Sequence, residues 1–247
     1  AYIAAVIRNA GHHVEILDAY ALNMAWREFE AAIAIRRPDV LGLTAMTPVA
    51  DVAARAITVA RPHVKRIVLG GPHPTAVGDA IFTEMPDLDA TVIGEGEPTI
   101  IPLLDWWSAG GQGQPPPGVR TRNTEFVPAI PPNPADLPMP ARDLLPNHAY
   151  RYLFATQRGF ATMVSSRGCP FRCSFCDKSV GGSKWRARSP VDVVDEMETL
   201  QNDFGVGFIN FYDDNFTLRR ERVMQISEEI LRRNLDVNIL LFNNRIY

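Results

Sequence analysis

At 247 residues, with 46% apolar side chains and a formal net charge of -3, the chain can bury one large core or two modest ones. It has no basic excess that would favour a nucleic-acid partner. No apolar run approaches the roughly 20 residues that a bilayer-spanning helix needs, and no basic, apolar leader opens the chain, so a cytoplasmic protein without a membrane span is expected.

The chain opens in a predicted helix, with Ile3, Val6 and Ile7 at helical spacing and Gly11 at the stop position. It starts without Met inside that helix and ends just after a predicted strand at residues 237–242, so a fragment of a longer protein is expected. Short apolar runs at Val14–Leu17, Val40–Thr44, Arg66–Leu69 and Ala90–Ile93 alternate with helical stretches near 25–36, 49–61, 75–84 and 97–107. That alternation predicts a doubly wound α/β domain over residues 1–112, its parallel sheet covered by helices on both faces. If the first strand is missing from such a sheet, a gap should separate Val14–Leu17 from Val40–Thr44.

Ten of the twenty prolines fall between Pro115 and Pro146, a density that forbids helix and central strand and marks residues 113–157 as a linker. Within it Gly118–Arg122 and Glu125–Val127, flanking Asn123–Thr124, are a candidate hairpin. A second domain follows over 158–247, beginning with a predicted strand at Phe160–Ser165. Ser189-Pro190-Val191-Asp192 supplies an N-cap, a first-turn proline and a first-turn acid, ahead of Val193, Val194, Met197 and Leu200 on one helical face, with Gly205 as the stop. A strand at Phe208–Tyr212, a helix at 218–233 capped by Thr217 and a strand at 237–242 complete a βαβαβ order. That order begins a parallel barrel or open sheet, with functional residues at the C-terminal ends of its strands.

All three cysteines lie within eight residues, Cys169-Pro170-Phe171-Arg172-Cys173-Ser174-Phe175-Cys176. Three thiolates on one loop can hold an iron-sulfur cluster while leaving one iron open to a substrate; four would close the shell. A structural zinc site lacks its fourth ligand, since no His follows Cys176 and the nearest, His148, lies upstream in the proline-rich stretch. A disulfide would leave an odd thiol and is out of place in a reducing compartment.

This C-x3-C-x-aromatic-C run, with Phe175 as the aromatic, directly follows the first strand of its domain, and the chain resembles the cobalamin-dependent radical S-adenosylmethionine (radical SAM) enzymes, the group of anaerobic oxidative cyclases and C-methyltransferases. The resemblance implies a flavodoxin-like cobalamin-binding domain followed by the first part of a radical SAM partial (β/α) barrel. It implies that Cys169, Cys173 and Cys176 bind a [4Fe-4S] cluster whose fourth iron is chelated by SAM. Fed by an external low-potential electron donor, such an enzyme cleaves SAM to a 5'-deoxyadenosyl radical that attacks an unactivated carbon of a small, lipid or tetrapyrrole-like substrate.

By the same resemblance, Phe211-Tyr212-Asp213-Asp214-Asn215-Phe216 at the end of the second strand helps bind the SAM amino group, making Asp213, Asp214 and Asn215 SAM-site candidates beside Phe175. A plain Asp-Asp-Asn turn is the alternative. Arg186 and Arg188 are candidates for a SAM or substrate carboxylate, or are simply solvated.

In the first domain the family's D-x-H-x-x-G, S-x-L and G-G elements correspond to Asp18-Ala19-Tyr20-Ala21-Leu22-Asn23, Thr44-Ala45-Met46 and Gly70-Gly71. The cobalt-ligating His and the Gly of the first element are absent, which implies cobalamin held without a protein imidazole. Thr44, Ala45, Met46, Gly70, Gly71, Pro72, His73, Gly94, Glu95 and Gly96 form the implied corrin wall, with His73 a polar contact, since these loops follow strand ends. Tight βα turns with no ligand are the alternative. A radical SAM protein without cobalamin, or a non-catalytic iron-sulfur electron carrier, are the rival functions; the open iron argues against the carrier.

Overall fold

The computed structural model describes residues 1–153 and 159–241. The chain divides into two units, one of Ala1–Ala5, Glu15–Leu22 and the residues from Asn133 onward, the other of Val6–Val14 and Asn23–Pro132. The division at Pro132 falls inside the proline-rich stretch.

In chain order the regular elements are α1 (Tyr2–Asn9), α2 (Trp26–Arg36), β1 (Val40–Thr44), α3 (Ala50–Ala60), β2 (Arg66–Gly70), α4 (Pro72–Val77), α5 (Ile81–Glu84), β3 (Ala90–Val92), α6 (Ile100–Ser108), β4 (Val119–Arg120), β5 (Gly159–Met163), β6 (Ser166–Arg167), β7 (Arg186–Ala187), α7 (Pro190–Phe204), β8 (Val206–Phe211), α8 (Arg220–Arg232) and β9 (Asn238–Leu241). None of these helices is long and apolar enough to cross a membrane.

The Asn23–Pro132 unit is a sheet in the order β1-β2-β3-β4, parallel through β3. Its core is apolar and closed, with Ile57 from α3, Ile67 and Leu69 from β2, Ile81 from α5, Leu88 and Leu103 all buried. Each such side chain contributes about 1.5–3 kcal/mol of transfer free energy.

Three expectations are corrected in this part of the chain. Val14–Leu17, expected as a strand, is irregular; β1 is an edge of the sheet and has no ladder to that segment, as the expected gap requires. An apolar run becomes a strand only where a neighbour exchanges backbone bonds with it. The hairpin does not form: β4 pairs antiparallel with β3, Thr91 opposite Arg120, and Val127 keeps only a carbonyl contact to Gly118 N–H at 2.7 Å. The helix expected at 75–84 starts early, at Pro72, and breaks at Gly78, whose φ of +62° ends α4 before α5 begins.

In the other unit β5-β8-β9 form a parallel sheet and β6-β7 a two-residue antiparallel ladder. Ser189 caps α7 by accepting the Asp192 N–H at 3.1 Å, and Gly205 stops it at φ +64°. The face of α7 bearing Val193, Val194, Met197 and Leu200 is fully buried against Ala161 and Met163 of β5, Val206, Ile209 and Phe211 of β8, and Ile226 of α8. Thr217 does not cap α8; it lies in a single 3₁₀ turn at Phe216–Leu218 and donates to Asn215 Oδ1 at 3.4 Å. Phe242, the last residue of the strand expected at 237–242, lies outside the described residues.

Candidate functional site

The cysteine loop leaves the sheet where β5 ends and is closed at its neck by β6 and β7, Ser166 opposite Ala187 and Arg167 opposite Arg186. Inside the neck Cys169 N–H donates to Gly182 O at 3.2 Å, and Cys176 N–H to Cys173 O at 3.1 Å. Gly168 has φ +81°, and a Cβ there would lie 2.3 Å from Lys184 O and 2.9 Å from Gly181 O, so only glycine fits. All three thiols are free, Cys169 and Cys173 half-buried and Cys176 exposed. Phe175 is 90% exposed. Among the described residues no three His, Cys, Asp or Glu side chains converge to metal-holding distance, so the loop presents its three sulfurs apart. As a donor set they fit a cluster with three thiolate ligands: no sulfur is spent in a disulfide, and no imidazole shares the loop.

The acidic pair after β8 is turned toward that loop. Asp213, 1% exposed, accepts from Ser165 N at 2.7 Å, Ser165 Oγ at 2.6 Å and Ser166 Oγ at 2.5 Å. Burial pushes its carboxyl above the usual carboxylate range, against the opposing pull of the serine donors and of Arg222. Arg222 of α8 reinforces the same strand end, donating through Nη2 to Ser165 O at 2.9 Å and through Nε to Arg188 O at 3.1 Å. Asp214 accepts the Gly168 N–H at 2.7 Å, and Asn215 is buried. Of the expected SAM-site residues, Asp213 thus spends its oxygens on the end of β5 and the start of β6. Ser165, Ser166 and Arg222 were not expected from sequence; a Ser-Ser pair two residues before Gly168 is the only sequence trace of this acceptor site.

Arg188 is neither solvated nor free for a ligand carboxylate. Its guanidinium is 3% exposed and held by Asp192 at 2.8 and 3.0 Å, by Tyr2 Oη at 3.0 Å and by Glu196. Burial alone would lower its pKa, but the two carboxylates outweigh burial and raise it. Glu196 also accepts from Arg142 Nε at 3.1 Å and Nη2 at 2.6 Å. Desolvation in this cluster pushes the Tyr2 phenol up to about 12. Arg186 donates to Gly181 O at 3.0 Å and so braces the loop rather than facing outward.

In the Asn23–Pro132 unit the expected corrin-wall loops lie together past β1, β2 and β3. Ala45 N–H donates to Gly70 O, and His73 N–H to Ala45 O, both at 3.0 Å. Thr75 Oγ1 donates to Gly71 O at 2.9 Å and accepts Gly94 N–H at 3.2 Å, tying the third loop to the second. Gly71, at φ +100°, is needed for loop-against-loop packing, since a Cβ would lie 2.7 Å from Thr44 Oγ1 and 2.8 Å from Ala45 O. At Gly94 a Cβ would meet nothing within 4 Å, leaving open space there. Thr44, Met46 and Pro72 are exposed, Gly70 and Gly96 are half-buried, and Ala45 and Glu95 are buried.

His73 does not serve as a surface contact: it is buried, its Nε2 donating to Glu84 at 3.0 Å and its Nδ1 facing Thr47 Oγ1 at 3.4 Å. Tyr20, in the place of the family's cobalt-ligating His, is 97% exposed. The loops therefore fit a large ligand by exposed Thr44, Met46 and Pro72 and the space at Gly94, with no imidazole offered.

Comparison with known proteins gives a family match for each half of the chain. Residues 1–103 match the B12 binding domain family and residues 163–246 the radical SAM superfamily. The chain is 34% identical over 246 residues to an uncharacterized methyltransferase of Pyrococcus horikoshii, covering 96% of this chain and 53% of that protein. It is 32% identical over 252 residues to the anaerobic magnesium-protoporphyrin IX monomethyl ester cyclase of Rubrivivax gelatinosus, covering 96% and 44%. The chain thus spans about half the length of these relatives. The radical SAM methyltransferase TsrM of Kitasatospora setae, solved with cobalamin and a [4Fe-4S] cluster bound, superposes with a TM-score of 0.73 at 22% identity, over 94% of this chain and 47% of that one. Carrying both modules in one polypeptide, the chain belongs to the radical SAM family, in the branch that joins a B12-binding domain to the radical SAM domain.

Proposed function

We propose that the protein is a cobalamin-dependent radical SAM enzyme acting in the cytoplasm on a small-molecule substrate, by C-methylation or oxidative cyclisation, with an external low-potential electron donor. The observation that carries this is Cys169-x3-Cys173-x2-Cys176 on a loop necked off by β6 and β7 at the C-terminal end of β5. Residues 1–112 serve as the cobalamin domain, 113–157 as the linker and 158–247 as the start of the radical SAM domain.

When bound, a [4Fe-4S] cluster supplies the electron that cleaves SAM reductively, and cobalamin supplies the second cofactor of the reaction. Cys169, Cys173 and Cys176 are the residues that would hold the first. Phe175 would flank SAM, and Asn215 and the backbone at Asp213–Asp214 would border it. Thr44, Ala45, Met46, Gly70, Gly71, Pro72, Gly94, Glu95 and Gly96 would form the corrin wall, with His73 beneath it. A tetrapyrrole-like substrate suits the cyclase relative.

The deciding assay reconstitutes the whole protein anaerobically and follows 5'-deoxyadenosine and S-adenosylhomocysteine. Formation of 5'-deoxyadenosine is expected; S-adenosylhomocysteine in addition marks methyl transfer. SAM left intact by a fully iron-loaded protein defeats the proposal.

Cobalt ligation gives a second expected result. Because His73 is buried against Glu84, any three-line nitrogen splitting in the electron paramagnetic resonance spectrum of cob(II)alamin in this protein should persist unchanged in His73→Ala. A splitting that vanishes in His73→Ala would instead identify His73 as the axial ligand.

A further inference from the structure

The neck of the cysteine loop is set by a carboxylate that makes no use of the thiols. Asp214 is exposed, yet its Oδ2 reaches back to accept the Gly168 N–H at 2.7 Å, one residue before Cys169. The same oxygen lies 2.7 Å from the position a Cβ would take at Gly181, so the absence of a side chain there lets the carboxylate in. Gly168 in turn packs against Gly181 O and Lys184 O, and Cys169 N–H closes on Gly182 O. Asp213, the preceding residue, fixes Ser165 and Ser166 on the incoming limb. One strand end therefore grips the loop at its entry, residues 165–168, and touches its exit at Gly181.

We propose that Asp214 is a positioning residue for the cysteine loop, holding Gly168 and with it Cys169 in register with the end of β8, rather than a ligand of SAM. This rests on the reading of the loop as the holder of an iron-sulfur cluster. A charge-assisted bond to a backbone N–H is of the stronger kind, and it bears directly on where the first sulfur sits. Gly181 belongs to the same device: it is the residue whose missing Cβ makes room for the clamp.

The test compares Asp214→Ala, Asp214→Asn and Gly181→Ala in the whole, cluster-loaded protein. The readouts are the rate of iron loss to a chelator, the electron paramagnetic resonance spectrum of the reduced cluster without SAM, and SAM affinity. Asn keeps an oxygen for the Gly168 N–H while removing the charge; Gly181→Ala displaces the carboxylate while leaving it intact. Asp214→Ala and Gly181→Ala should both lose iron roughly tenfold faster and both change the SAM-free spectrum, while Asp214→Asn keeps the unsubstituted spectrum.

If Asp214→Asn weakens SAM binding about tenfold with an unchanged spectrum, Asp214 is a SAM ligand and the proposal is overturned. Three variants that match the unsubstituted protein in iron retention and spectrum overturn it as well. Failure of the unsubstituted protein to take up iron and sulfide is a different result: it removes the cluster reading, and the proposal with it.

Discussion

Single replacement of Cys169, Cys173 or Cys176 by alanine in the whole protein is expected to reduce SAM cleavage to background and leave the fold standing. On the proposed reading each thiolate would be one of three protein ligands, so losing one would leave two, too few to hold a cluster with a single open iron. The fold should survive because none of the three belongs to the α7–β8 core and Cys176 is exposed. Iron and sulfide content with 5'-deoxyadenosine yield measures the first part, and a thermal unfolding midpoint within a few degrees of the unsubstituted protein the second. Phe175→Ala, at a 90% exposed side chain, should be milder. A cysteine variant that keeps a full cluster and normal cleavage removes that residue from the ligand set.

The largest effect on stability is expected at Glu196. Its carboxylate is 1% exposed and bridges the Arg142 and Arg188 guanidiniums, which are 11% and 3% exposed. Glu196→Ala leaves two cations in a low-dielectric interior without their shared counter-ion, at a cost of about 3–5 kcal/mol. Glu196→Gln keeps an acceptor and should cost less. Replacing all three together, Arg142→Met, Arg188→Met and Glu196→Leu, should be milder than Glu196→Ala, because the one charge left without its partner, Asp192, is 39% exposed and not buried. Denaturant midpoints of the four proteins check the order; a Glu196→Ala variant within 1 kcal/mol of the starting protein, roughly the worth of an exposed pair, would contradict it.

Local signals were the legible ones. Ser189, Pro190 and Gly205 place both ends of α7 because caps and left-handed stops are settled by neighbours in sequence. The three cysteines and the strand ends of the Asn23–Pro132 unit were readable for the same reason, each being a spacing within one stretch. What escaped was pairing across distance. Gly118–Arg122 carried strand character but not the choice of partner, and β4 joined β3 instead of folding on Glu125–Val127. Glu196 did leave a trace: an acid at helical spacing among Val193, Met197 and Leu200 sits on the buried face and therefore needs a buried cation. Asp213 left less, since nothing in a run of Asp-Asp-Asn tells which carboxylate turns inward to the serines and which outward to Gly168.

The two-residue ladder of β6 and β7 bears on the order in which a working protein is put together. Its contacts, and the Asp214 bond to Gly168, are made without any cysteine side chain. Tying off residues 168–185 therefore falls to polypeptide alone, and the chain-closure entropy of a loop this long, about 2.5 kcal/mol, is offset by contacts that involve no sulfur. Small zinc modules work the other way, their metal supplying the free energy of folding. On the proposed reading the scaffold would mature first and receive its inorganic part last, so delivery of iron and sulfide would be a late step that could be repeated after oxidative damage without unfolding the sheet beneath.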